Sequence, residues 1–433
     1  MNYHIKGGKQ LSGTVKTNVS KNAAVALLCA SLLNKGKTTL KKMPKIEEVY
    51  RIIEVLQSIG VSVEWANGDV VITPGKIDLN AINKESAGKT RSIAMFIGPL
   101  AHIFGSLDLP APTGCDLGKR SLGSHIDSLA RLGIQISGNE EAHTYHVEVK
   151  EKKSAEIIMY EASDTGVENV LMAAAKIPGT TTIKFASANY MVQDLCVFLE
   201  LCGVKIEGIG TSTLVVHGVE TIDADIVGYP SEDPIESMFF ISLAATTGSE
   251  LTIERCPIDF LELELFTLEH MGLVFAKSAL YLAENNHTRL CDVTVHPSKL
   301  KAAPDKIAPR PFPGINIDNL PFFVPVATQA AGETMIHDWV YDGRAKHYME
   351  MTKLGATMEQ LDPHRIVVKG PTKLHSADIK APPALRPATI LLIGMLAAEG
   401  ESTLHEVYPI NRGYDKLHER LTKLGASIEA ENT

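Results

Sequence analysis

The residues best suited to chemistry lie in a loop rich in proline and glycine, LPAPTGCDLGKRSLGSH, which carries Cys115, Lys119, Arg120 and His125. Neighbouring cations lower the pKa of a thiol, and a thiolate can act as an acid, a base or a nucleophile. Loops on rigid scaffolds often carry catalytic groups. We therefore predict a reactive Cys115; the alternative is a small apolar filler of the core. His125, taken alone, is expected to be a structural histidine.

A second set of polar residues recurs at equivalent places, the starts of predicted helices. In chain order these residues are Lys21, Arg91, Thr165, Asp233, Asp318 and Arg386. A helix N-terminus carries about half a positive charge and free N–H groups, so converging helix starts make an anion site. The side chains of Lys21, Arg91 and Arg386 would strengthen that site. The alternative for Asp233 and Asp318 is an ordinary helix cap.

A sixfold pattern of glycines positions these helix starts. An apolar helix ends at the first glycine of each copy, and a second helix ends at the second glycine, 23 to 28 residues later. The pairs are Gly36 and Gly60, Gly105 and Gly133, Gly179 and Gly203, Gly248 and Gly272, Gly332 and Gly355, and Gly400 and Gly425. Glycine is the residue that adopts a left-handed helix end at low cost. We therefore predict six repeated α/β units.

The repeat predicts an α/β fold of two domains, an inside-out α/β barrel with three βαβαββ-type units in each domain. The acidic, proline-containing segment VGYPSEDPIES separates the third copy from the fourth. We predict one domain over residues 21–229, which carries the Cys115 loop, and a discontinuous one over 1–20 and 230–433. Two chain crossings between similar domains imply an interdomain cleft that opens and closes, and we place the active site there.

Composition excludes several classes of protein. A net charge of −9 argues against a nucleic-acid binder. The segment MNYHIKGGKQLSG lacks the apolar core of a secretory signal and no apolar run has the length of a membrane span, so we expect neither feature. The six cysteines show no metal-ligand spacing, so we expect a reduced, cytoplasmic setting, no metal and no cofactor. The Gly-Lys-Thr triplets at Gly36 and Gly88 lack the first glycine of a phosphate-binding loop.

Several segments are similar to one known family. They are SKNAA, KTRSIAMFIGPL, GCDLGKRSLGSH, the stretch from Asp318 to Arg344, LRPAT and NRGYDKLHERLTKLGA. On these residues the chain resembles, from end to end, the UDP-N-acetylglucosamine 1-carboxyvinyltransferases of the enolpyruvyl transferase family. The related enzymes of the shikimate pathway lack the cysteine loop, so Cys115 distinguishes the two branches. The resemblance implies transfer of enolpyruvate from phosphoenolpyruvate to the 3-hydroxyl of the sugar, the first committed step of peptidoglycan precursor synthesis.

The resemblance also implies roles for individual residues. The catalytic residues would be Cys115 as general acid or phosphate adduct, Asp318 as base, and Lys21. Phosphoenolpyruvate would contact Lys21, Arg91, Arg120, Arg344, Arg386 and Arg412. The sugar nucleotide would contact Asn22, Arg91, Arg120, Ser163, Asp318 and Val340. These small molecules are the expected partners of a monomer or weak homo-oligomer.

The chain departs from the family pattern on the nucleotide side. Ser121-Leu122-Gly123 stands where the family usually has Pro-x-Asp, Glu161 where it has a phosphate-contacting lysine, and Asn189-Tyr190-Met191 where it often has Glu-Pro-Glu. Four extra residues, 314–317, precede Asp318. An alternative is therefore a paralogous enolpyruvyl transferase with a different nucleotide or sugar acceptor. A further alternative is a binding protein that keeps the scaffold without catalysis.

Overall fold

The computed structural model describes residues 1–111, 122–139 and 143–431. The chain divides into two compact units. The terminal unit comprises the described residues of Met1–Asn18 and Glu232–Thr433, and the central unit comprises those of Val19–Gly114 and Arg120–Ser231. Helices and strands mix throughout, so the fold is mixed α/β. Among the described residues, no helix combines the length and apolarity that crossing a membrane requires.

The secondary structure alternates between short strands and helices along the whole chain. The strands are β1 (Asn2–Gly7), β2 (Ser12–Lys16), β3 (Thr38–Leu40), β4 (Ser62–Ala66), β5 (Asp69–Thr73), β6 (Ser106–Pro110), β7 (Ile134–Asn139), β8 (Thr144–Val149), β9 (Glu156–Ile158), β10 (Gly179–Lys184), β11 (Lys205–Glu207), β12 (Thr213–Gly218), β13 (Ile226–Gly228), β14 (Glu250–Pro257), β15 (Val274–Lys277), β16 (Tyr281–Leu282), β17 (Arg289–His296), β18 (Gly332–His337), β19 (Thr357–Gln360), β20 (Arg365–Gly370), β21 (Asp378–Lys380), β22 (Gly400–His405) and β23 (Ser427–Glu431). The α-helices are α1 (Lys21–Ala30), α2 (Glu47–Ser58), α3 (Lys84–Lys89), α4 (Ile97–Leu100), α5 (Gly123–Arg131), α6 (Asp164–Ala174), α7 (Tyr190–Leu201), α8 (Pro234–Thr247), α9 (Glu262–His270), α10 (Phe323–Gln329), α11 (Arg344–Tyr348), α12 (Leu385–Ala397), α13 (Tyr408–Asn411) and α14 (Leu417–Lys423).

The strands of the central unit form three sheets in its described residues. Their orders are β13-β3-β5-β4, β6-β8-β7 and β11-β12-β10-β9. The pairs β3–β13 and β9–β10 are parallel, and the other pairs are antiparallel. The parallel pairs join strands that are separated by helices along the chain, because a parallel pair needs a crossover connection.

The strands of the terminal unit also form three sheets among its described residues. Their orders are β21-β22-β1-β23, β15-β17-β14-β2 with β16 on β17, and β18-β20-β19. Strand β1 lies between two strands from the other end of the chain: Tyr3 is opposite Leu404 on one side and Ala430 on the other. Strand β2 runs parallel to β14, with Val15 beside Ile253. The first residues of the chain are therefore built into this unit.

Each unit is centred on apolar helices that are buried nearly all round. Every residue of α1 from Ala23 to Ala30 is buried, as are residues 234–246 of α8 and 386–396 of α12. These helices are rich in Ala, Leu, Ile and Phe and have no polar face, whereas the more amphipathic α2 and α5 bury one side.

The prediction that the first glycine of a copy ends a helix is wrong at Gly179, Gly332 and Gly400, because each of them is the first residue of a strand and the preceding helix has already ended. The positive φ expected of the pattern is present at ten of its twelve positions. The prediction is wrong at Gly36 and Gly105, whose φ values are not in that region. Gly36 is required for another reason: a Cβ there would lie 2.4 Å from the carbonyl oxygen of Ala224. Nothing lies within 4 Å of a Cβ at Gly105, and the structure gives no reason for glycine there.

Candidate active site

Asp318 lies between two arginine side chains in the terminal unit. One carboxylate oxygen is 3.5 Å from Nη1 of Arg344, and the other is 3.5 Å from Nη2 of Arg386. Asp318 precedes a 3₁₀ helix, Leu320–Phe322, and its backbone N–H donates to Asn316 Oδ1 at 2.8 Å. The carboxylate therefore lies between two positive charges.

Arg344, the first residue of α11, is held by a buried network. Only 1 % of it is exposed. Its Nε donates to Asp338 Oδ2 at 2.5 Å, and its Nη2 donates to the carbonyl oxygen of Ile317 at 2.8 Å. The hydroxyl of Tyr348 donates to the same oxygen of Asp338 at 2.6 Å. Because two groups accept from the guanidinium and Tyr348 holds one of them, Arg344 has little freedom to turn away from Asp318.

Arg386 is the second residue of α12 and is 7 % exposed. Its Nη1 donates to the hydroxyl of Tyr414 at 3.0 Å, and burial raises the pKa of that hydroxyl. Asp233 caps α8 by accepting from two backbone N–H groups. Burial raises the pKa of Asp233 to about 6, although the charge of Arg386 acts in the opposite direction. The starts of α8 and α12 are thus close enough for the charge of Arg386 to act on Asp233, as the sequence predicts.

Two further predicted residues of the terminal unit lie on shorter segments. Arg412 follows α13 directly, is half-buried, and donates its backbone N–H to the carbonyl oxygen of Tyr408 at 3.0 Å. Val340 is 42 % exposed and lies between β18 and α11, two residues after Asp338. Among the described contacts, none joins the side chain of Val340 to Asp318.

In the central unit, Lys21 and Asn22 are the first two residues of α1. Ser20 caps this helix through a bond from the N–H of Ala23, so the chain starts the helix where the sequence predicts. The Nδ2 of Asn22 donates to the hydroxyl of Tyr190 at 3.1 Å. Lys21 adds a full positive charge to the positive end of the helix.

A buried acidic group lies close enough to Lys21 to interact with its charge. Glu168, on the second turn of α6, is 2 % exposed. Burial raises its pKa well above the ordinary value, Asp164 and Asp194 raise it further, and Lys21 opposes these effects. Burial and the two neighbouring acids thus favour the protonated form of Glu168, and the charge of Lys21 favours the ionised form.

Ser163 is the N-cap of α6, and its side chain accepts from the N–H of Gly166 at 3.2 Å. Asp164 begins the helix and accepts from Ser187 Oγ at 2.5 Å and from Asn189 Nδ2 at 3.2 Å. Asn189 is in turn the N-cap of α7. The starts of α6 and α7 are thus tied together by side chains.

Arg91 begins a 3₁₀ helix, Arg91–Phe96, rather than the predicted α-helix; the α-helical hydrogen bonding starts only at Ile97. Arg91 lies close enough to His125 to affect its titration. Burial, and then the charge of Arg91, lower the pKa of His125 to about 4. The ring of His125 also contacts Thr165 Oγ1 at 3.2 Å and Asn169 Nδ2 at 3.1 Å, so its prediction as a structural histidine is confirmed.

Cys115, Lys119 and Arg120 lie outside the described residues. The other five cysteines are described, and all are buried: Cys29, Cys196, Cys202, Cys256 and Cys291. Burial raises the pKa of each of these thiols. They therefore remain protonated at neutral pH and contribute no nucleophile.

The sequence interpretation missed Asp338, Tyr348, Tyr414 and Tyr190, which hold the predicted side chains in place. Tyr414 lies in the quoted segment NRGYDKLHERLTKLGA, and Asp338 lies six residues before Arg344. An acid or tyrosine within a few residues of a predicted arginine could have drawn attention to Asp338, Tyr348 and Tyr414. No such signal connects Tyr190 with Asn22, which lies 168 residues away along the chain. Their partners could not be identified without the fold.

Comparisons with known proteins identify the family of the chain. The model of the family "EPSP synthase (3-phosphoshikimate 1-carboxyvinyltransferase)" matches residues 5–421. The chain is 30 % identical over 432 residues to the UDP-N-acetylglucosamine 1-carboxyvinyltransferase of Bradyrhizobium diazoefficiens, covering 99 % of this chain and 97 % of that one. It is 32 % identical over 433 residues to the protein of that name from Treponema denticola, covering 99 % and 98 %.

Two solved structures share the fold. The enolpyruvyl transferase NikO of Streptomyces tendae superposes with a TM-score of 0.86 at 24 % identity, covering 99 % of this chain and 98 % of that one. EPSP synthase of Acinetobacter baumannii superposes with a TM-score of 0.77 at 17 % identity, covering both chains fully. The two-domain enolpyruvyl transferase fold is thus shared along the chain. On the family match and the curated relatives, the chain belongs to the EPSP synthase (3-phosphoshikimate 1-carboxyvinyltransferase) family of enolpyruvyl transferases.

Proposed function

We propose that the protein transfers the enolpyruvyl group of phosphoenolpyruvate to the 3-hydroxyl of UDP-N-acetylglucosamine and releases phosphate, at the start of peptidoglycan precursor synthesis. The observation that carries the proposal is the Asp318 carboxylate, 3.5 Å from both Arg344 and Arg386. The reaction requires a base beside anion-binding groups, and this geometry supports the assignment of those roles to the three residues. The curated relatives that carry the corresponding name support the choice of acceptor.

Asp318 is the base that takes the proton of the sugar hydroxyl. Its 3.5 Å contacts to the two arginines are longer than the ~2.7–2.9 Å of strong charge-assisted hydrogen bonds. The two arginines thus orient the carboxylate from either side. A hydroxyl that donates to Asp318 would lie next to the same guanidinium groups, so the reacting partners would be held together.

Cationic side chains bind the two anionic groups of phosphoenolpyruvate. In the terminal unit they are Arg344, Arg386 and Arg412. In the central part of the sequence they are Lys21, Arg91 and Arg120. The guanidinium groups of Arg344 and Arg386 are buried, so charge–charge attraction to a phosphate or carboxylate is screened less than in water. The assignment requires residues of both units to act on one substrate pair.

The reaction proceeds by addition and elimination. In the addition, the sugar oxygen bonds to carbon 2 of phosphoenolpyruvate, its proton passes to Asp318, and Cys115 protonates carbon 3. In the elimination, carbon 3 loses a proton, the bond from carbon 2 to the phosphate oxygen breaks, and phosphate leaves. The alternative role of Cys115 is a covalent phosphate adduct with phosphoenolpyruvate. Positive groups stabilise the charge that develops during addition, which is the main electrostatic contribution expected of such a site.

The sugar nucleotide contacts Asn22, Ser163, Val340, Arg91 and Arg120 in this proposal. Ser163 caps α6, and the backbone N–H groups of the first turn of this helix point towards its N-terminal end. A helix end of this kind can bind an anion such as a diphosphate. Glu161, an exposed acid two residues earlier, would repel the same diphosphate. That residue favours a second candidate function, enolpyruvyl transfer to another nucleotide or sugar acceptor.

Finer features of the architecture belong to the same proposal. We infer that the six sheets represent six repeated units, three in each domain, arranged as an inside-out α/β barrel. The domains would be 21–229 and the discontinuous 1–20 plus 230–433, with the active site in the cleft between them. We expect a cytoplasmic monomer or weak homo-oligomer that uses no metal or cofactor.

Phosphate release tests the proposed acceptor. The purified protein is incubated with phosphoenolpyruvate and a panel of UDP-sugars, and phosphate is measured over time. We expect release with UDP-N-acetylglucosamine and little with the other sugars. Activity restricted to another acceptor would establish the second candidate instead. Absence of turnover with every acceptor would contradict both, and would leave the non-catalytic binding protein.

A further inference from the structure

The side chain of Asn22 is held by a buried tyrosine. Asn22 is half-buried at the start of α1, and its Nδ2 donates to the Tyr190 hydroxyl at 3.1 Å. Tyr190 is 1 % exposed and is the first residue of α7. Both residues belong to the central unit, so the hydrogen bond joins two helix starts within one compact body.

The tyrosine is itself fixed from several directions. Its backbone N–H donates to Oδ1 of Asn189, the cap of α7, at 3.0 Å. The Nδ2 of Asn189 donates to Asp164 at the start of α6, and Asp164 also accepts from Ser187. A ring that is buried and anchored at a helix start has one position available to it. Tyr190 is therefore a rigid support for whatever it contacts.

The direction of the hydrogen bond determines what Asn22 can offer to a ligand. A side-chain amide has one donor end and one acceptor end, and the donor end of Asn22 faces Tyr190. The amide oxygen is then at the other end of the group. Such an oxygen binds hydroxyl or amide N–H donors, which a sugar and its acetamido group both provide.

We propose that Tyr190 is a positioning residue, which orients Asn22 so that its amide oxygen accepts a hydrogen bond from a donor group of the acceptor sugar. This inference rests on the proposed function, because it assumes that Asn22 contacts the acceptor. Tyr190 does not touch the reacting atoms in this proposal and acts only through Asn22. Its removal should therefore weaken acceptor binding and leave the chemical steps nearly unchanged.

A double-mutant cycle tests the inference. The variants are Tyr190→Phe, Asn22→Ala and the double mutant. Tyr281→Phe is the control, since it also removes a single tyrosine hydroxyl, one that donates to Asp292 at 2.6 Å in the terminal unit. From the usual net value of one hydrogen bond, Tyr190→Phe should raise KM for UDP-N-acetylglucosamine about 3- to 10-fold. Its kcat should stay within about twofold, and its KM for phosphoenolpyruvate should not change.

The coupling is the decisive result. In the Asn22→Ala background, Tyr190→Phe should add no further change in KM, since the side chain that it positions is gone. Equal effects of Tyr190→Phe in both backgrounds would overturn the inference. So would an unchanged KM in Asn22→Ala, a result that does not depend on whether Tyr190→Phe folds. Melting temperatures of all variants identify a merely structural effect, which would lower kcat and stability together.

A calorimetric titration separates this inference from the proposed function. The affinity for UDP-N-acetylglucosamine is measured in the same four proteins without phosphoenolpyruvate. Wild-type turnover and binding without coupling would overturn the role of Tyr190 alone. Wild-type binding with coupling but no turnover would refute the proposed reaction and support Tyr190. Neither binding nor turnover in the wild type would overturn both.

Discussion

Among the single charges of the terminal unit, that of Asp338 should cost the most free energy of unfolding when it is removed. Its carboxylate is fully buried and accepts from Arg344 Nε at 2.5 Å and from the Tyr348 hydroxyl at 2.6 Å. We consider Asp338→Asn, which keeps the shape and removes the charge. The guanidinium of Arg344 would then remain buried with its nearest counter-charge lost.

The magnitude follows from these contacts. Removing one partner of a buried ion pair costs ~3–5 kcal/mol of the free energy of unfolding. Asparagine keeps an oxygen that can accept from Arg344 Nε, and Asp318 still lies 3.5 Å from the same guanidinium. We therefore expect a cost at or just below the lower end of that range, about 2–3 kcal/mol. For a domain of this size that corresponds to a fall in Tm of about 4–12 °C.

The assay is thermal unfolding of wild type, Asp338→Asn and a control. Asp362→Asn is the control, because Asp362 pairs with Arg365 at 2.6 Å on the surface and such pairs contribute little. We also expect kcat/KM for phosphoenolpyruvate to fall by at least about tenfold in Asp338→Asn, since Arg344 loses its support. An unchanged or higher Tm in Asp338→Asn would refute the reasoning.

Three further predictions concern titration, packing and the thiol. Burial raises the pKa of Asp233 to about 6 in the folded protein. The protonated carboxyl therefore contributes to stability below about pH 4, and this contribution is lost as the pH rises through about 6. In urea unfolding, Asp233→Asn should have the same free energy of unfolding as wild type near pH 4 and be more stable by up to ~2–3 kcal/mol near pH 7.5. Equal stability of the two proteins at both pH values would contradict this prediction. Gly98→Ala should lower the free energy of unfolding by ~1–3 kcal/mol, because the new Cβ would lie 2.5 Å from the backbone oxygen of Asn169. The Cβ of Gly394→Ala would meet only side-chain ends, so the stability of this variant should lie within about 1 kcal/mol of wild type. Equal losses of stability in urea unfolding would argue against this difference. An epoxide analogue of phosphoenolpyruvate should alkylate Cys115, faster with UDP-N-acetylglucosamine present, and an adduct on another cysteine of the folded protein by mass spectrometry would exclude this role.

Local signals in the sequence predict much of the fold. The start of α1 at Lys21, the cap of α8 at Asp233 and the start of α12 near Arg386 all depend on a few neighbouring residues. The second glycine of every copy has a positive φ, because a helix end needs it whatever the surroundings. Arg91 is the exception, since its segment is 3₁₀ and not α-helical.

Contacts between distant segments could not be predicted in the same way. Gly36 is required by the backbone of Ala224, which lies far along the chain. The sequence predicts that residues 1–20 join the C-terminal half, but it does not indicate that Tyr3 pairs with both Leu404 and Ala430. Such pairings depend on the packing of the complete unit, and local propensity does not determine them.

The candidate site shows the same division. Charge and helix position single out Asp318 and Arg386, and the resemblance adds Arg344. The side chains that hold them, Asp338 and Tyr414, come from segments whose partners the fold alone brings close. A single sequence therefore predicts the groups that would do the chemistry better than the groups that orient them.

The most direct test of the proposed reaction combines phosphate release with product analysis in wild type and Asp318→Asn. With phosphoenolpyruvate and UDP-N-acetylglucosamine, the wild type should form the enolpyruvyl ether of the sugar nucleotide and an equal amount of phosphate. Asp318→Asn should still bind phosphoenolpyruvate, but its kcat should fall by about 10²–10⁴-fold, the usual contribution of a general base. A wild type that forms no ether from this acceptor, or an Asp318→Asn variant with wild-type kcat, would contradict the account.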